Sequence, residues 1–300
     1  MPLPGFLELL ERADARRQPV TLAAAGGADP TVLLALAEAQ DRGWIEPVVV
    51  GEATAIRREA ALAGVDLAGF RLVDAAPDAV ADAAVAEVRE GRAAVLMKGR
   101  IATPDLMRAI GDPERGIRTG RTVCQVVLME IIPQGRRFLL ADTGVVVSPK
   151  VRTKAQILLE AVGIAHALGL VEPAVAILAA TEAIHASMPE TIDADELRRL
   201  GEAGEFPGCR VQGPLSFDLA YAPEAARRKG FAGPSAGAAD ILIFPNLSAA
   251  NLSVKAIMYT ADCRYGGVLR GTTHPVAFMS RSDDVPTRMH SLALALRLVR

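Results

Sequence analysis

The sequence predicts an α/β protein built around a mainly parallel sheet. Three hundred residues are enough for one large α/β domain or two lobes. Apolar residues make up 51% of the chain and aromatic residues only 4%, so Ala, Leu and Val must fill the core. This composition favours buried parallel strands packed between Ala-rich helices. Short apolar runs also alternate with helical segments, which is typical of βαβ units.

The alternation is clearest in the first third of the chain. Asp29 followed by Pro30 is typical of an N-cap and a first helical residue, and Gly43 is placed to end that helix. The predicted strands here are 20–25, 47–50, 71–73 and 93–97, and the predicted helices are 30–42, 54–63 and 77–90.

The middle of the chain changes character. Two β-rich runs, 122–132 and 137–141, are joined through Pro133-Gln134-Gly135, which predicts an antiparallel hairpin. This hairpin suggests that a second lobe begins near residue 120. The remaining predicted helices are 149–168, 193–202, 223–229, 248–260 and 284–298, and the remaining strands are 175–178, 209–211, 241–244, 265–269 and 276–278.

Charge and cysteine content exclude several classes of function. The 33 basic and 35 acidic residues nearly cancel, so neither nucleic acid nor an anionic membrane is an expected partner. Three widely spaced cysteines, Cys124, Cys209 and Cys263, form neither a disulfide framework nor a zinc ligand set. We expect buried free thiols in a cytoplasmic protein. The chain shows no signal peptide and no apolar run of ~20 residues.

Two polar segments of the first third follow predicted strands, where open α/β sheets bind ligands. The turn 26–29, Gly-Gly-Ala-Asp, could hold an anion with free backbone amides, or could simply be a tight turn with an Asp cap. Lys98 leaves a buried strand, and Thr103-Pro104 starts the next helix. A cation beside a helix N-terminus can bind phosphate or carboxylate. The alternative is a solvated lysine at a strand end.

Two further segments lie in the second half. Asp142 follows a strand and precedes Gly144, so it could bind a ligand or organise a turn. Asn246 and Asn251 flank the start of a helix that carries Lys255. Helix capping explains one of these asparagines but not both.

The last segment, Ser280-Arg281-Ser282-Asp283-Asp284, follows the final predicted strand. Its guanidinium suits phosphate or a developing oxyanion, while its carboxylates could instead cap the following helix. The four histidines share no metal-ligand spacing and are interpreted as structural. The chain contains no Gly-x-Ser-x-Gly motif, so a serine hydrolase is not expected.

Several long segments resemble the phosphate acetyl/butyryltransferase family. The resemblance runs from the first strand to the C-terminus, and MPETIDA and QGPLSFD favour the butyryltransferase branch. The segments are VLMKGRIATPDLMRAI, GIRTGR, ADTGVVVSPKVRTKAQILLEAVGIAHALG, MPETIDADEL, VQGPLSFDLA, GPSAGAADILIFPNLSAANLSVKAI and YGGVLRGTTHPVAFMSR.

The resemblance implies an isocitrate/isopropylmalate-dehydrogenase-like α/β fold. Its two α/β lobes would comprise 1–120 plus 272–300 and 121–271, with the active-site cleft between them. The implied reaction converts a short-chain acyl-CoA, butyryl or acetyl, and phosphate into an acyl phosphate and coenzyme A. It implies no cofactor beyond coenzyme A as substrate, no metal, and a homodimer or higher homo-oligomer.

The resemblance also assigns roles to individual residues. The family's active-site Ser-Arg pair is Ser280-Arg281 here, with Arg281 for phosphate and the tetrahedral intermediate, and Ser280 for the sulfur or the carbonyl oxygen. The family's catalytic aspartate position holds Thr287, so Asp283 is the expected substitute base. The expected substrate-binding residues are Lys98, Thr103, Asp142, Asn246, Asn251 and Lys255.

Three positions of the helix near residue 250 depart from the family pattern. A coenzyme-A-binding arginine falls at Tyr259, Gly-Asn becomes Ala250-Asn251, and Tyr-Lys becomes Val254-Lys255. One alternative is therefore a non-catalytic or altered acyl-CoA-binding module. Another is a metal-dependent decarboxylating dehydrogenase on the same fold, but the metal-binding aspartates and arginine trio that it needs are not found in the sequence.

Overall fold

A computed structural model describes residues 2–278 and 280–299. Strands and helices alternate along most of the chain, as the apolar pattern predicts. The strands are β1 Val20–Ala25, β2 Ile45–Gly51, β3 Arg71–Asp74, β4 Val95–Lys98, β5 Cys124–Ile131, β6 Arg136–Ala141, β7 Ala174–Leu178, β8 Arg210–Leu215, β9 Ile241–Ile243, β10 Cys263–Arg270 and β11 Val276–Ala277. The helices are α1 Phe6–Asp14, α2 Pro30–Asp41, α3 Ala53–Ala63, α4 Val80–Arg89, α5 Thr103–Gly111, α6 Val151–Ala167, α7 Pro189–Glu202, α8 Phe217–Tyr221, α9 Pro223–Arg228, α10 Leu247–Thr260 and α11 Val285–Arg297.

The chain divides into two compact units. The amino-terminal unit comprises Phe6–Arg121 and Gly266–Arg300, and the central unit comprises Met1–Gly5 and Thr122–Tyr265. The lobe boundaries given above, 1–120 plus 272–300 and 121–271, stay a prediction.

The amino-terminal unit contains strands in the order β3-β2-β1-β4-β11, followed by the part of β10 that belongs to it. All neighbouring pairs from β3 to β11 are parallel, whereas β11 and β10 are antiparallel. Parallel neighbours place their carboxyl ends at one edge of a sheet. The segments that follow β1, β4 and β11 therefore lie side by side.

The central unit has the strand order β5-β6-β9-β7-β8. β5 and β6 form the predicted antiparallel hairpin through a 3-10 turn at Ile132–Gln134, and the other pairs are parallel. The parallel pairing of β6 and β9 brings Asp142 and Asn246 to the same edge of this sheet.

Several element boundaries differ from the prediction for identifiable reasons. α7 begins at Pro189, not at residue 193, because proline fits the first turn of a helix. β8 continues through Gly213-Pro214 to Leu215, beyond the predicted residue 211, because it is an edge strand where proline is tolerated. Of the three cysteines, Cys124 is buried, but Cys209 and Cys263 are half-buried, which corrects the expectation for those two.

Candidate functional site

The glycine turn after β1 is a packing device of the amino-terminal unit. The amides of Gly26 and Gly27 both donate to the Val50 carbonyl, at 3.0 and 3.2 Å. Gly26 has a φ of +83°, and a Cβ there would lie 2.7 Å from the Arg100 carbonyl carbon. Asp29 caps α2 by accepting from the amides of residues 31 and 32. The Gly26 and Gly27 amides are therefore not free to bind an anion, and the tight turn with an Asp cap is confirmed.

Lys98 ends β4 beside Ala25 of β1. Its side chain is buried, with 3% of the residue exposed, and its ammonium lies 5.9 Å from the centre of the Phe278 ring. Burial lowers the pKa of Lys98 to about 8, and the positive charges of Arg281 and Arg288 act in the same direction. The alternative of a solvated strand-end lysine is therefore wrong.

The two carboxylates after β11 have different surroundings. Asp284 is the N-cap of α11 and accepts from the Thr287 amide at 3.0 Å. Asp283 is buried, and a hydrogen bond from the Ser280 amide reaches its carboxylate. Among the described residues, its Oδ2 atom is buried without a hydrogen-bond partner. Burial raises the pKa of Asp283 to about 6, although the nearby Arg288 charge opposes the shift. Capping thus explains only one of the two carboxylates.

Ser280 and Arg281 are exposed, so their side chains are accessible to a ligand. The Ser280 hydroxyl lies 2.9 Å from the Ser282 hydroxyl and accepts from the Ser282 amide. Thr103 begins α5, five residues after the buried lysine that ends β4, and is half-buried. This unit therefore brings an exposed hydroxyl and guanidinium next to a buried carboxylate.

Arg288 of α11 joins this cluster and was not among the predicted site residues. It is 3% exposed; its Nε donates to Thr31 Oγ1 at 3.0 Å and its Nη2 to the Arg281 carbonyl at 3.5 Å. The sequence did contain a signal for this residue. It was an arginine in a largely apolar helical segment, four residues after Asp284. The residues around a cavity of about 10 Å³, space for roughly one water, are Met97, Lys98, Ala277, Phe278, Asp283, Arg288 and Ser291.

In the central unit, the Asp142 carboxylate organises its own loop. It accepts from the amides of Gln125 and Gly144, both at 3.0 Å, and also from Val145 and Val146. Burial raises the pKa of Asp142, although these four backbone hydrogen bonds oppose the shift. Its contacts are those of a turn-organising residue.

The two asparagines have different partners, as the sequence suggests. Asn246 caps α10 by accepting from the Ala249 amide at 2.9 Å, whereas Asn251 Nδ2 donates to the Thr143 carbonyl at 3.3 Å. Lys255 lies one turn further along α10 and is exposed. The structure therefore gathers Asn246, Asn251 and Lys255 on one helix of the central unit.

The described part of the chain contains neither a metal-ligand cluster nor a membrane-spanning helix. No group of three or more His, Cys, Asp or Glu residues there could hold a metal ion. Within residues 2–278 and 280–299, no helix has both the length and the apolar character of a membrane span.

Comparison with known proteins agrees with these features. A family model described as phosphate acetyl/butaryl transferase matches residues 78–296. The phosphate butyryltransferase of Clostridium acetobutylicum is 35% identical over 98% of this chain and 97% of its own length. The phosphate acetyltransferase of Thermotoga maritima is 35% identical over 97% of this chain and 98% of its own length.

Solved structures show the same fold. A branched-chain phosphotransacylase from Enterococcus faecalis superposes with a TM-score of 0.82 at 30% identity, covering 94% of this chain and 99% of that one. A putative 4-hydroxythreonine-4-phosphate dehydrogenase from Salmonella typhimurium, 11% identical with a TM-score of 0.56 over 94% of this chain and 99% of that one, shares the fold alone. The predicted isocitrate/isopropylmalate-dehydrogenase-like α/β fold class is confirmed. Because the family model spans most of the chain and the relatives match nearly all of it, the chain belongs to the phosphate acetyl/butaryl transferase family and is a phosphate acyltransferase.

Proposed function

We propose that this enzyme transfers a butyryl or acetyl group directly between coenzyme A and inorganic phosphate. The observation that carries the proposal is the loop after β11. There an exposed Ser280 and Arg281 adjoin a buried Asp283, next to the buried Lys98 at the end of β4. A hydroxyl, a guanidinium and two groups with shifted pKa values supply what acyl transfer to phosphate requires.

The proposed reaction needs no enzyme-bound acyl group. A phosphate oxygen attacks the thioester carbonyl carbon, forming a C–O bond and a tetrahedral oxyanion. The C–S bond then breaks, and the coenzyme A thiolate takes up the proton that the attacking phosphate releases. Holding the two substrates in contact supplies much of the rate, because the bimolecular step becomes effectively unimolecular.

Arg281 and Ser280 are the groups proposed to touch the reacting atoms. The planar guanidinium of Arg281 can hold two phosphate oxygens and stabilise the tetrahedral oxyanion as its charge grows. The Ser280 hydroxyl would donate to the carbonyl oxygen or to the sulfur. Both side chains are exposed, so neither has to leave a buried position to meet a substrate.

Asp283 and Lys98 are proposed to manage protons and charge. With a pKa of about 6, Asp283 is mostly ionised at neutral pH and can accept the coenzyme A proton in the reverse direction. A thiol with an ordinary pKa near 8.5 needs only modest help of this kind. Lys98, with a pKa of about 8, is mostly cationic at pH 7 and would attract phosphate.

For the central unit, Asn251 and Lys255 are the proposed acyl-CoA contacts. Two of the three departures from the family pattern on α10, Ala250 and Val254, are its buried residues and affect packing of the helix. The third, Tyr259, is exposed at the position where the resemblance places a coenzyme-A-binding arginine. Asn251 and the exposed Lys255 keep polar groups on this helix, which supports an active enzyme over a non-catalytic binding module.

We further propose that the enzyme is a cytoplasmic homo-oligomer. Burial raises the pKa of Cys209 to about 11, which suits an unreactive thiol in that compartment. Sedimentation of the wild-type protein would test the oligomeric state, because a species with the mass of one chain would contradict it.

The proposed function is tested by following thiol release from acetyl-, propionyl- and butyryl-CoA. We expect release that depends strictly on phosphate, that persists with a metal chelator, and that is accompanied by acyl phosphate in equal amount. Equal release without phosphate would identify a thioesterase and refute the proposal. Binding of coenzyme A with no turnover would favour the non-catalytic module.

A further inference from the structure

Arg288 connects two segments that approach the same sheet edge of the amino-terminal unit from different parts of the chain. Its Nε donates to the Thr31 hydroxyl near the start of α2, and its Nη2 donates to the Arg281 carbonyl after β11. Thr31 in turn donates to Asp29 Oδ1 at 2.6 Å. A continuous series of hydrogen bonds therefore runs from the cap of α2 to the backbone of Arg281.

Burial of the Arg288 charge is unfavourable for the free energy of folding. The residue is 3% exposed, and burial lowers the pKa of its guanidinium even though Asp283, Asp29 and Asp284 favour the charged form. Among the described residues, both of its hydrogen bonds go to uncharged oxygens, and no carboxylate forms an ion pair with it within 4.0 Å. A buried charge without a direct partner lowers stability relative to an apolar residue of similar size. Stability alone therefore does not account for an arginine here.

The geometry of the guanidinium offers an explanation. Its planar group donates in fixed directions, so one side chain can hold two acceptors at a set distance and angle. Thr31 cannot turn away freely, because its hydroxyl and its amide are both held by Asp29. The carbonyl on the other side belongs to the residue whose side chain is proposed to bind phosphate.

We propose that Arg288 is a positioning residue that fixes the Arg281 backbone against the start of α2, and so aims the Arg281 guanidinium for catalysis. Arg288 acts through the Arg281 carbonyl and does not itself contact the substrate. This inference rests on the proposed function for its catalytic consequence, whereas the contact itself can be tested without turnover.

Four variants test the role: Arg288→Ala, Arg288→Lys, Thr31→Val and Thr31→Ser. We expect Arg288→Ala to lower kcat between 10- and 100-fold, the loss that a small misplacement of a catalytic group produces. KM for acyl-CoA should stay within threefold. Arg288→Lys should recover little of kcat, because an ammonium cannot make both contacts in fixed directions. Added guanidinium ion should partly restore the kcat of Arg288→Ala, which a merely structural role would not allow.

The threonine variants keep the arginine and protect the test against misfolding. Thr31→Val removes the hydroxyl that accepts the Arg288 hydrogen bond and nearly conserves the side-chain volume, so kcat should fall severalfold. Thr31→Ser keeps a hydroxyl, so its kcat should stay close to the wild-type value. The matched control is Arg16→Ala in the same unit, since Arg16 also donates to a backbone carbonyl, that of Leu296. This control should leave kcat within twofold.

Hydrogen exchange of the amides of residues 280–284 measures the contact directly. We expect faster exchange in Arg288→Ala and Thr31→Val, and no change in Arg16→Ala. Unchanged exchange in the first two variants, or faster exchange with normal kcat, would overturn the positioning role. If the wild-type protein shows no phosphate-dependent turnover, the proposed function fails, and the exchange result still decides whether Arg288 holds the loop.

Discussion

Replacing Lys98 by methionine should make the protein more stable and less active. The folded chain holds the pKa of Lys98 at about 8, against an ordinary value of 10.5, chiefly because the side chain is buried. Keeping this lysine charged in the fold at pH 7 therefore costs about 3 kcal/mol. This cost already includes the contact between the ammonium and the Phe278 ring. Methionine has a similar shape and no charge, so we expect a gain of about 3 kcal/mol.

The sign of the pH dependence gives a second, sharper test. Between pH 8 and pH 10.5 the unfolded chain holds a proton on Lys98 that the folded chain has released, so wild-type stability rises with pH in this window. The advantage of Lys98→Met should therefore be largest at pH 7 and should shrink by more than half at pH 9.5. Phosphate-dependent turnover should fall at least tenfold at pH 7, where Lys98 is mostly cationic, and by less at pH 9.5, where the folded wild-type protein has lost most of this charge.

Urea unfolding at the two pH values measures this effect. Lys150→Met serves as the control, since Lys150 is exposed and its replacement should shift neither the midpoint nor its pH dependence. Equal or lower stability of Lys98→Met at pH 7 would refute the argument that the ammonium is held in an unfavourable environment. Full activity of the same variant would remove Lys98 from the phosphate site.

Three further changes probe the site and its support. Arg281→Lys should lower kcat on the order of 10²-fold with acyl-CoA binding retained, because lysine cannot hold two oxygens in fixed directions. Steady-state kinetics measures this, with a lysine at the exposed Arg228 as the control. Near-normal turnover of Arg281→Lys would exclude Arg281 from the catalytic site. Asp283→Asn should remove the acidic limb of the pH profile of kcat. We expect that limb near pH 6, because burial raises the pKa of Asp283 to about 6 beside the charges of Arg288, Lys98 and Asp284. A pH profile that keeps the limb would assign it to another group. Asp142→Asn should destabilise the protein by at least ~2 kcal/mol, because one amide oxygen cannot replace a carboxylate that accepts hydrogen bonds from four backbone amides. Thermal unfolding measures the loss, and an unchanged midpoint would contradict the prediction.

Sequence patterns predicted the fold class well because most elements carry local signals. The Asp29-Pro30 cap, the hairpin around Gly135 and the apolar strand that ends at Lys98 are each visible within a few residues. The pairing order of the strands is a long-range property. No local pattern could therefore reveal that β11 lies between β4 and β10.

The candidate site was only partly predictable for the same reason. Lys98, Ser280, Arg281 and Asp283 stand at strand ends, where ligand groups are expected. The burial of Lys98, the separate roles of Asp283 and Asp284, and the contacts of Arg288 depend on side chains from other elements. Local turn patterns likewise could not show that the Gly26 and Gly27 amides would be used by β2.

The late position of β11 in the chain has a consequence for biosynthesis. β4 is complete at Lys98, but its neighbour β11 begins only at Val276, so that side of β4 stays unpaired until almost the whole chain has left the ribosome. At ordinary translation speeds this delay is roughly ten to thirty seconds. An unpaired apolar strand edge invites pairing with other chains during that time. We therefore expect nascent chains that end before Val276 to bind chaperones strongly, and to release them once the last strand and helix have been made.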